Sequence, residues 1–530
     1  MWSSYQNRIL AIILLLALCS SCMHQETPPQ ASISILHTVS VTGSPSTPTP
    51  VPAFKQTLVQ TSDSITAPIQ TPRATRATSN NRSSSAVQNL LLDVPTHPID
   101  VILGRPTDHS ITVSILAYQD NEGFIEYGDS PDTLSNQTPL IAFKTDQPVE
   151  VLIDSLQANK PYIYRVRYRA VNTSEFAATE ANWFHTQRAP GNPFAFTIQA
   201  DSHLDSNSNP QVYLQTLANE RIDQPDFLID LGDTFMTDKY QPYTAAQAQY
   251  LAQRYSLSLI GQSAPVFLVL GNHDGEGAAR GGRTTDMSTW SVKMRTQYFP
   301  NPIPDGFYTG NTTPDKNVGP LQDYYAWEWG DALFIVLDPY WFTPPQKGTS
   351  DLWNPTLGDV QYYWLKATLE ASRAKWKFVF IHQLISGSDK NGRGGVEVAG
   401  FYEWGGNNAD DSWGFDQQRL GWAMPIHQLL VANHVTAVFH GHDHIFVKQE
   451  LDGIIYQEVP QPSTSRSNAT DSAAEYGYIN GDVLGSSGHL RVTVTPDEVN
   501  VEYVRSYLPE VEQPGQKNGQ VDYEYRILSE

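Results

Sequence analysis

The chain has 530 residues, of which 40% are hydrophobic and 11% aromatic, which is enough apolar material for more than one folded domain. Its formal net charge of -22 argues against a surface that binds DNA or RNA, because a polyanion is repelled by such a balance. Nucleic-acid binding is therefore not expected, although a local cationic centre can still attract a small anionic substrate.

The first predicted element is an export signal at residues 1–22. Arg8 precedes an unbroken apolar run, residues 9–18, which is too short for an ordinary membrane span and has the length of a signal-peptide core. The only two cysteines of the chain, Cys19 and Cys22, follow this run, so disulfides do not hold the folded part together. Cys22 follows two serines and resembles the lipidated cysteine of bacterial lipoproteins, which implies a membrane-anchored protein at the bacterial cell surface or in the periplasm. A plain cleaved secretory signal with incidental cysteines is the alternative.

Residues 23–92 form a predicted linker. They are rich in Ser, Thr and Pro, as in "TGSPSTPTPVP", and show no sustained hydrophobic period. A segment of this composition cannot bury enough apolar surface to fold, so we expect a disordered tether between the anchor and the folded part.

Residues 93–188 are predicted to form an all-β sandwich. Short alternating runs such as "SITVSILAY" and "YIYRVRYRA" are separated by the turn-like stretches "SPDT" and "ANKP", a spacing typical of antiparallel sheets. The stretch "LQANKPYIYRV" resembles the corner of a fibronectin type III domain, with Tyr162 as the tyrosine that caps the turn into a strand. The segment has no site-like cluster of His, Cys or acidic residues, so a spacer or docking role is expected.

Residues 189–530 are predicted to form an α/β domain. Its apolar runs each end in a polar tip, as in "FAFTIQADSHLD", "DFLIDLGDTF", "PVFLVLGNHDGE", "KFVFIHQ" and "VTAVFHGHDH". Helical stretches such as "NPQVYLQTLANERI" separate them, which predicts strands buried on both faces by helices. Ligands of such sheets bind at the carboxyl ends of the strands, so the tips are expected to converge. The stretch "YYAWEWGDALFIVLD" predicts a strand pair with its turn at Gly330 and Asp331.

The tips supply polar side chains, most of them of types that can bind metals. They are Asp201, His203, Asp233, Asn272, His273, His382, His442 and His444. Each of them alone has an ordinary structural interpretation, such as a helix cap, a turn or a buried histidine with a satisfied ring. Imidazole and carboxylate without thiolate suit Zn, Mn or Fe, and so many donors exceed what one ion needs. Two transition-metal ions are therefore expected.

The ordered motifs resemble those of the calcineurin-like metallophosphoesterase superfamily. They are "DSH", "GDTF", "GNHD", a single histidine after an apolar strand, and "GHDH", and they cover about residues 194–505. The fibronectin-like module in front resembles the arrangement of purple acid phosphatases. The resemblance implies a four-layer α/β/β/α sandwich and a metal-dependent hydrolase whose substrate is a small-molecule phosphate ester.

The resemblance also implies a role for each residue. One metal is expected on Asp201, His203, Asp233 and His444, and the other on Asp233, Asn272, His382 and His442. Asp233 would bridge the two, and a hydroxide shared by the ions is the expected nucleophile. His273 is the candidate general acid for the leaving group, and Asp274 is expected to orient it. The family pattern gives His440 no role, so we expect it to pack beside the ligands.

Two positions depart from the pattern of purple acid phosphatases. Met236 stands where those enzymes place a tyrosine three residues after the bridging aspartate, and they lack a histidine at the position of His203. No purple charge-transfer band is therefore expected, and the identity of the metals stays open among Fe, Mn and Zn.

The sequence defines substrate contacts less well than metal ligands. Arg393, in the Gly-rich and aromatic stretch "NGRGGVEVAGFYEW", is a candidate for pairing with phosphate, and a solvated loop arginine is the alternative. A monoesterase, a phosphodiesterase and a nucleotidase all fit the same ligand set. A metal-stabilised surface binding protein without turnover is the alternative from another class, and His273 argues against it because a scaffold needs no histidine that is not a ligand.

Overall fold

The computed structural model describes residues 90, 92–130, 133–277, 286–345, 351–387, 392–464, 466 and 468–529. All of these residues belong to the compact unit Asn80–Glu530. The predicted signal, with Cys22, and the predicted linker up to residue 89 lie outside the described residues. Within the described part, none of the helices is long and apolar enough to cross a membrane.

The N-terminal strands form two antiparallel sheets that share one core. They are β1 (Ile99–Gly104), β2 (Ile111–Ala117), β3 (Asn121–Gly128), β4 (Asn136–Gln137), β5 (Ile141–Phe143), β6 (Val149–Ile153), β7 (Pro161–Ala170), β8 (Ala177–Ala178) and β9 (Asn182–His185). One sheet has the order β1-β2-β6, and the other is built on the β3–β7 pair. Inward residues of both sheets, such as Ile115 and Phe184, pack together, which confirms the predicted all-β region. The hydroxyl of Tyr162 accepts a hydrogen bond from the N–H of Gln157 at 2.9 Å, as expected for a corner tyrosine.

Two large sheets follow in the chain. Their strands are β10 (Phe194–Gln199), β11 (Leu228–Asp230), β12 (Val266–Leu268), β13 (Thr309–Gly310), β14 (Tyr325–Trp329), β15 (Ala332–Val336), β16 (Trp376–Phe380), β17 (Ala437–His440), β18 (Phe446–Leu451), β19 (Ile454–Glu458), β20 (Asp482–Leu484), β21 (Gly488–Val494), β22 (Glu498–Arg505) and β23 (Val521–Leu528). The first sheet has the order β12-β11-β10-β21-β22-β23, and the second β13-β14-β15-β16-β17-β19-β18-β20. The β14–β15 hairpin turns at Gly330 and Asp331, as predicted.

Helices lie against these sheets or in the loops that connect the strands. They are α1 (Pro210–Ile222), α2 (Gln247–Gly261), α3 (Asp286–Tyr298), α4 (Gly358–Ala371), α5 (Tyr402–Gly405), α6 (Phe415–Gln418), α7 (Ile426–Ala432) and α8 (Ser472–Glu475). The start of α1 is well defined, because the side chain of Asn209 accepts a hydrogen bond from the N–H of Gln211. Pro210 occupies the first helical position, where its missing N–H costs nothing.

The large sheets and helices form four layers. The inner faces of the two sheets meet in an aromatic core, in which the rings of Phe196 and Phe334 pack edge to face with centroids 5.1 Å apart. The outer face of the longer sheet packs on α4 through residues such as Leu365, and that of the shorter sheet packs on α2 through Leu257. The predicted α/β/β/α sandwich is thus confirmed. The prediction that helices cover both faces of each strand is wrong, since the inner faces of the two sheets pack on each other. The sequence did not distinguish these arrangements, because a continuous apolar run does not specify what covers it.

The direction of the strands determines where the polar tips lie. β10, β11 and β12 run parallel in one sheet, and β15, β16 and β17 run parallel in the other. On its other side β10 pairs antiparallel with β21, from Phe194 opposite Val494 to Ile198 opposite Leu490. Parallel strands end at the same edge of a sheet, so the loops after them approach one another there.

Candidate metal centre

The loops after the parallel strands bring two groups of donors together. Asp201, His203 and His444 form the first group, and Asp233, His382 and His442 form the second. Within each group the ligand atoms lie within 4.8 Å of one another. All of these side chains are buried except that of His444, which is partly exposed. Residues that are far apart in the sequence therefore meet at one edge of the sandwich.

Asp233 lies between the two groups. Its Oδ2 is 3.5 Å from Nε2 of His382 in its own group and 3.8 Å from Nε2 of His203 in the other group. Asn272 lies on the His382 side, with its Oδ1 at 3.2 Å from Nε2 of that ring. The donors therefore form one continuous cluster with the carboxylate of Asp233 at its centre.

The backbone is left-handed at most of the candidate ligands. The φ angles are 62° at Asp201, 53° at His203, 54° at Asp233, 82° at His442 and 62° at His444. Residues other than glycine pay roughly 1–2 kcal/mol for this conformation. It persists only where surrounding contacts enforce it, and such positions cluster at functional sites.

The pKa values at the site show that its carboxylates favour positive charge on the neighbouring rings. Burial would raise the pKa of Asp201, but the imidazoles of His444 and His382 hold it well below its usual range. Burial would likewise lower the pKa of His203, yet its contacts with carboxylates, Asp201 first, raise it to about 10. The pKa of His382 rises to about 9 against the effect of burial, chiefly because of Asp233. The carboxylates thus favour the protonated, positively charged form of these rings, and bound metal cations would supply the same positive charge.

The donors fit a two-metal centre. Among the described residues, Oδ1 of Asp201 and Nε2 of His203 are buried without a hydrogen-bond partner. Buried polar atoms need such a partner, and a metal ion provides one. Burial lowers the pKa of His442 to about 3, which keeps its imidazole in the neutral form that binds metals. A Cβ at Gly441 would lie 2.8 Å from Oδ2 of Asp201, so the loop after β17 needs glycine there.

His273 lies beside both groups without being a member of either. Its backbone N–H donates to Oδ1 of Asp233 at 2.7 Å, and its ring Nε2 is 4.0 Å from Oδ2 of the same carboxylate. Its Nδ1 lies 3.0 Å from both carboxylate oxygens of Asp238. Burial lowers the pKa of His273, and Asp233 opposes this shift. The ring therefore presents Nε2 to the donor cluster while Asp238 holds its other nitrogen.

The predicted orienting role of Asp274 is not supported by its contacts. Its carboxylate accepts hydrogen bonds from four backbone N–H groups, those of Asp233, Thr234, Phe235 and Gly271. Asp274 thus fixes the turn that presents Asp233, and the contact with the ring of His273 comes from Asp238. Because Asp238 lies in the short 3₁₀ turn Thr237–Lys239, no strand-end pattern marks it in the sequence.

Arg393 is held close to the candidate metal ligands. Its Nη1 donates to Oδ1 of Asp443 at 2.8 Å, and its guanidinium stacks on the ring of Tyr476 at 4.0 Å. Asp443 stands between His442 and His444 in the sequence. The side chain of Arg393 is 26% exposed. This position differs from that of a solvated loop arginine, because the ion pair and the aromatic ring fix the guanidinium.

Met236 and His440 stay outside the donor set. Met236 is fully buried in the apolar cluster that includes Phe235 and Tyr250. Nδ1 of His440 lies 2.7 Å from Oε2 of Glu458, and burial lowers the pKa of the His440 ring to about 3. His440 therefore packs beside the ligands, in the position expected from the sequence.

Two side chains after β19 support the turn that carries Asp201 and His203, although the sequence motifs do not include them. Nε2 of Gln461 donates to the carbonyl of Asp201 at 3.0 Å, and Oγ of Ser463 donates to that of Ser202 at 2.8 Å. β19 runs parallel to β17, so its loop also reaches the site. The apolar run "GIIYQEVPQPS" carries the same strand-end signal as the other tips.

Comparisons with known proteins agree with this architecture. The sequence model of the calcineurin-like phosphoesterase family matches residues 194–446, which contain all of the candidate ligands. The solved structure of PhoD has a TM-score of 0.55 and 16% identity, over 81% of this chain and 90% of the other. The purple acid phosphatase PPD1 from seeds of yellow lupin (Lupinus luteus) has a TM-score of 0.52 and 14% identity, over 81% of this chain and 74% of the other. No curated protein matches the chain in sequence.

Proposed function

We propose that this chain, whose residues 194–446 match the calcineurin-like phosphoesterase family, hydrolyses small phosphate esters with two transition-metal ions bound by the strand-end donors. The observation that carries the proposal is the pair of donor groups around Asp233, with the ring of His273 beside them. A protein that used metals only for stability would have no use for a histidine held in this way by Asp238.

The donor groups define the two binding positions. One ion would be bound by Asp201, His203, Asp233 and His444, and the other by Asp233, Asn272, His382 and His442. Fe, Mn and Zn all suit imidazole and carboxylate donors. Bound ions supply Lewis acidity toward the phosphoryl oxygens and an activated water as nucleophile. Asp233 would be the carboxylate shared by both positions, in keeping with its distances to His382 and His203.

His273 would act as the general acid. When an ester bond to phosphorus breaks, the departing alkoxide needs a proton, and His273 would supply it from Nε2, which lies 4.0 Å from Oδ2 of Asp233. Asp238 keeps the ring oriented and stabilises its protonated form through Nδ1. Burial, which lowers the pKa of His273, makes the ring a stronger acid.

Arg393 would contribute to binding of the phosphate group. A guanidinium pairs well with phosphoryl oxygens because its N–H donors form a planar fork. Asp443 and Tyr476 fix this fork next to the ligand loop after β17. The fixed position reduces the entropy that the arginine would lose when it binds a substrate.

The sequence of residues 1–22 supports a further proposal about location. We propose that the protein is exported and that Cys22 is acylated, which would attach the enzyme to a bacterial membrane. The support is the apolar run that precedes the two cysteines and the small residues before Cys22.

A panel of chromogenic phosphate monoesters and diesters, assayed after reconstitution with Mn, Zn and Fe, tests the proposed activity. We expect turnover of at least one ester class in the metal-loaded protein and none after the metals are removed. Two bound ions without turnover of any ester would contradict the enzyme and support the metal-stabilised binding protein instead. The ratio of monoester to diester rates would also identify the substrate class.

A further inference from the structure

α2 carries buried polar side chains on the face toward the candidate metal centre. Nε2 of Gln249 donates to the carbonyl of His203 at 2.5 Å and to that of Thr234 at 2.8 Å. One helical turn later, Nε2 of Gln253 donates to the carbonyl of Thr234 at 2.9 Å and to Oγ of Ser202 at 2.8 Å. Both glutamines are fully buried. The two glutamines therefore connect two turns that carry candidate ligands, the turn after β10 with Asp201 and His203 and the turn after β11 with Asp233. These are called the ligand turns.

The next residue of α2 contacts the N-terminal sheets. Arg254 donates through Nη2 to the carbonyl of Ser114 at 2.9 Å and through Nη1 to its Oγ at 3.1 Å. Nη1 also donates to the carbonyl of Tyr298, at the end of α3. The guanidinium is fully buried, and burial lowers its pKa to about 10. Nε of Arg254 is buried without a hydrogen-bond partner among the described residues, so the cation depends on the hydrogen bonds of Nη1 and Nη2, which favour one arrangement of α2 against β2.

Apolar contacts extend the attachment along α2. Ile102 of β1 and Leu116 of β2 lie in the same buried cluster as Leu257 of α2. At the C-terminal end of the helix, the hydroxyl of Tyr164 donates to the carbonyl of Gln262 at 2.6 Å. The N-terminal sheets therefore contact α2 both in its middle and at its end, and little freedom to rotate remains.

We propose that the N-terminal sandwich is part of the support of the metal centre, and that Arg254, Gln249 and Gln253 are positioning residues. The sandwich would fix the rotation of α2 through Arg254, and the two glutamines would transmit that position to the ligand turns. This inference rests on the metal centre of the proposed function.

The ligand turns need such support. Their left-handed backbone at Asp201, His203 and Asp233 is stable only where neighbours enforce it. Each carbonyl that is held by a glutamine of α2 belongs to a ligand residue or to its direct neighbour in the chain. The segment that the sequence suggests is a spacer or docking module thus acquires a role in metal binding, at a distance from the ions.

The test compares Arg254→Met with Tyr308→Phe in the full-length protein. The hydroxyl of Tyr308 donates to the carbonyl of Pro106 at 2.5 Å, a buried contact to the N-terminal region that does not involve α2. Circular dichroism checks folding, competition with a chelator measures metal affinity, and steady-state assays give kcat and KM. For Arg254→Met we expect metal release at an at least tenfold lower chelator concentration, and a loss in kcat that exceeds any change in KM. Tyr308→Phe should keep wild-type metal affinity.

Gln253→Met provides a second variant if Arg254→Met does not fold, since it removes the connection to the turns and leaves the interface with β2 intact. It should weaken metal binding in the same direction. Wild-type metal affinity in every folded variant would overturn the inference and leave the proposed function standing. An equal loss in Arg254→Met and Tyr308→Phe would also overturn it, because general destabilisation would then explain the result. A wild-type protein that binds no metal would overturn the proposed function as well.

Discussion

The ring of His273 is held through one nitrogen, and this determines which nitrogen can transfer a proton. Asp238 occupies Nδ1 at 3.0 Å, so a proton on Nε2 is the one that faces the donor cluster. A carboxylate at Nδ1 favours the protonated ring and fixes its orientation. The two residues are therefore expected to act as a pair.

His273→Ala tests the proton transfer. We expect metal content near that of the wild type, because the ring is not a proposed ligand, and kcat for an alkyl phosphate lower by roughly 10²–10⁴. A nitrophenyl phosphate should lose less, because its leaving group needs little protonation. Elemental analysis and assays of both substrates provide the measurements. An equal loss for both substrates would identify His273 as a phosphate-binding group instead.

A comparison of Asp238→Asn with Asp274→Asn distinguishes the roles of the two carboxylates near His273. Removal of the Asp238 charge lowers the pKa of the ring, so the loss of kcat/KM with rising pH should move to lower pH while the metals stay bound. Asp274→Asn should instead weaken metal binding, because the turn that presents Asp233 loses a shared acceptor. The assignment is wrong if the Asp274 variant moves the pH profile and the Asp238 variant does not.

The sequence predicted which donor residues converge better than it predicted the residues around them. Asp201, Asp233 and His382 each follow a buried strand, and parallel strands deliver such residues to one edge, so local pattern was sufficient. Asp238 follows no strand, and its contact with His273 depends on the path of a 3₁₀ turn. Contacts of this kind arise from loop geometry, which hydrophobic periodicity does not encode.

At the scale of elements, the end of β15 carries a carboxyl whose contribution to folding depends on pH. Burial, assisted by Asp323, raises the pKa of Asp338 from 3.8 to about 8. Its Oδ1 accepts a hydrogen bond from the N–H of Tyr340 at 2.7 Å. The carboxyl of Asp338 has the lower pKa in the unfolded state. Between the two pKa values it is therefore protonated in the folded protein and ionised in the unfolded protein. The stabilisation is therefore fully present below the unfolded pKa of 3.8 and is lost as the pH rises through about 8.

Asp338→Asn should flatten this dependence. We expect the free energy of unfolding of the wild type to fall between pH 5 and 8, and that of the variant to fall less, because an amide does not ionise. Urea unfolding at both pH values, under the same metal load, measures the difference. Parallel pH profiles would show that Asp338 ionises in the folded state as it does in the unfolded state.

α2 shows why some elements escape sequence interpretation. Its sequence "QAQYLAQRYSLSLIG" places Gln249, Gln253 and Arg254 where a surface helix would expose polar side chains, yet all three are fully buried. Their partners are carbonyl groups and serine hydroxyls of segments that are distant in the sequence, which composition does not reveal. The hairpin β14–β15 was predictable by contrast, because its turn and its alternation are local.

For the whole molecule, metal content and stability should change together. The purified or reconstituted protein should bind about two ions per chain, and each ion at about 100–1,000 times its Kd would add roughly 3–4 kcal/mol to the free energy of unfolding. Elemental analysis and thermal unfolding with and without a chelator measure both effects. One ion or none after reconstitution, or an unchanged Tm in the chelator, would contradict a dinuclear centre.

Cys22→Ser tests the attachment to a membrane. If Cys22 is acylated, the wild type should partition into the detergent phase, and the variant should be released or remain unprocessed. Cys19→Ser is the matched control, because it changes the other cysteine of the same segment and should stay in the detergent phase. Equal partitioning of the Cys22 variant and the wild type would support a plain cleaved signal.

The pairing of β10 with β21 has a consequence for the order of assembly during synthesis. β10 leads directly into the turn with Asp201 and His203, and one of its two neighbours in the sheet comes from the last part of the chain. A growing chain cannot complete this sheet until β21 has been made, and pairings between such distant segments form slowly. A product that ends before β21 should therefore bind no metal. Incomplete chains would then be catalytically silent, and only finished molecules would hydrolyse phosphate esters.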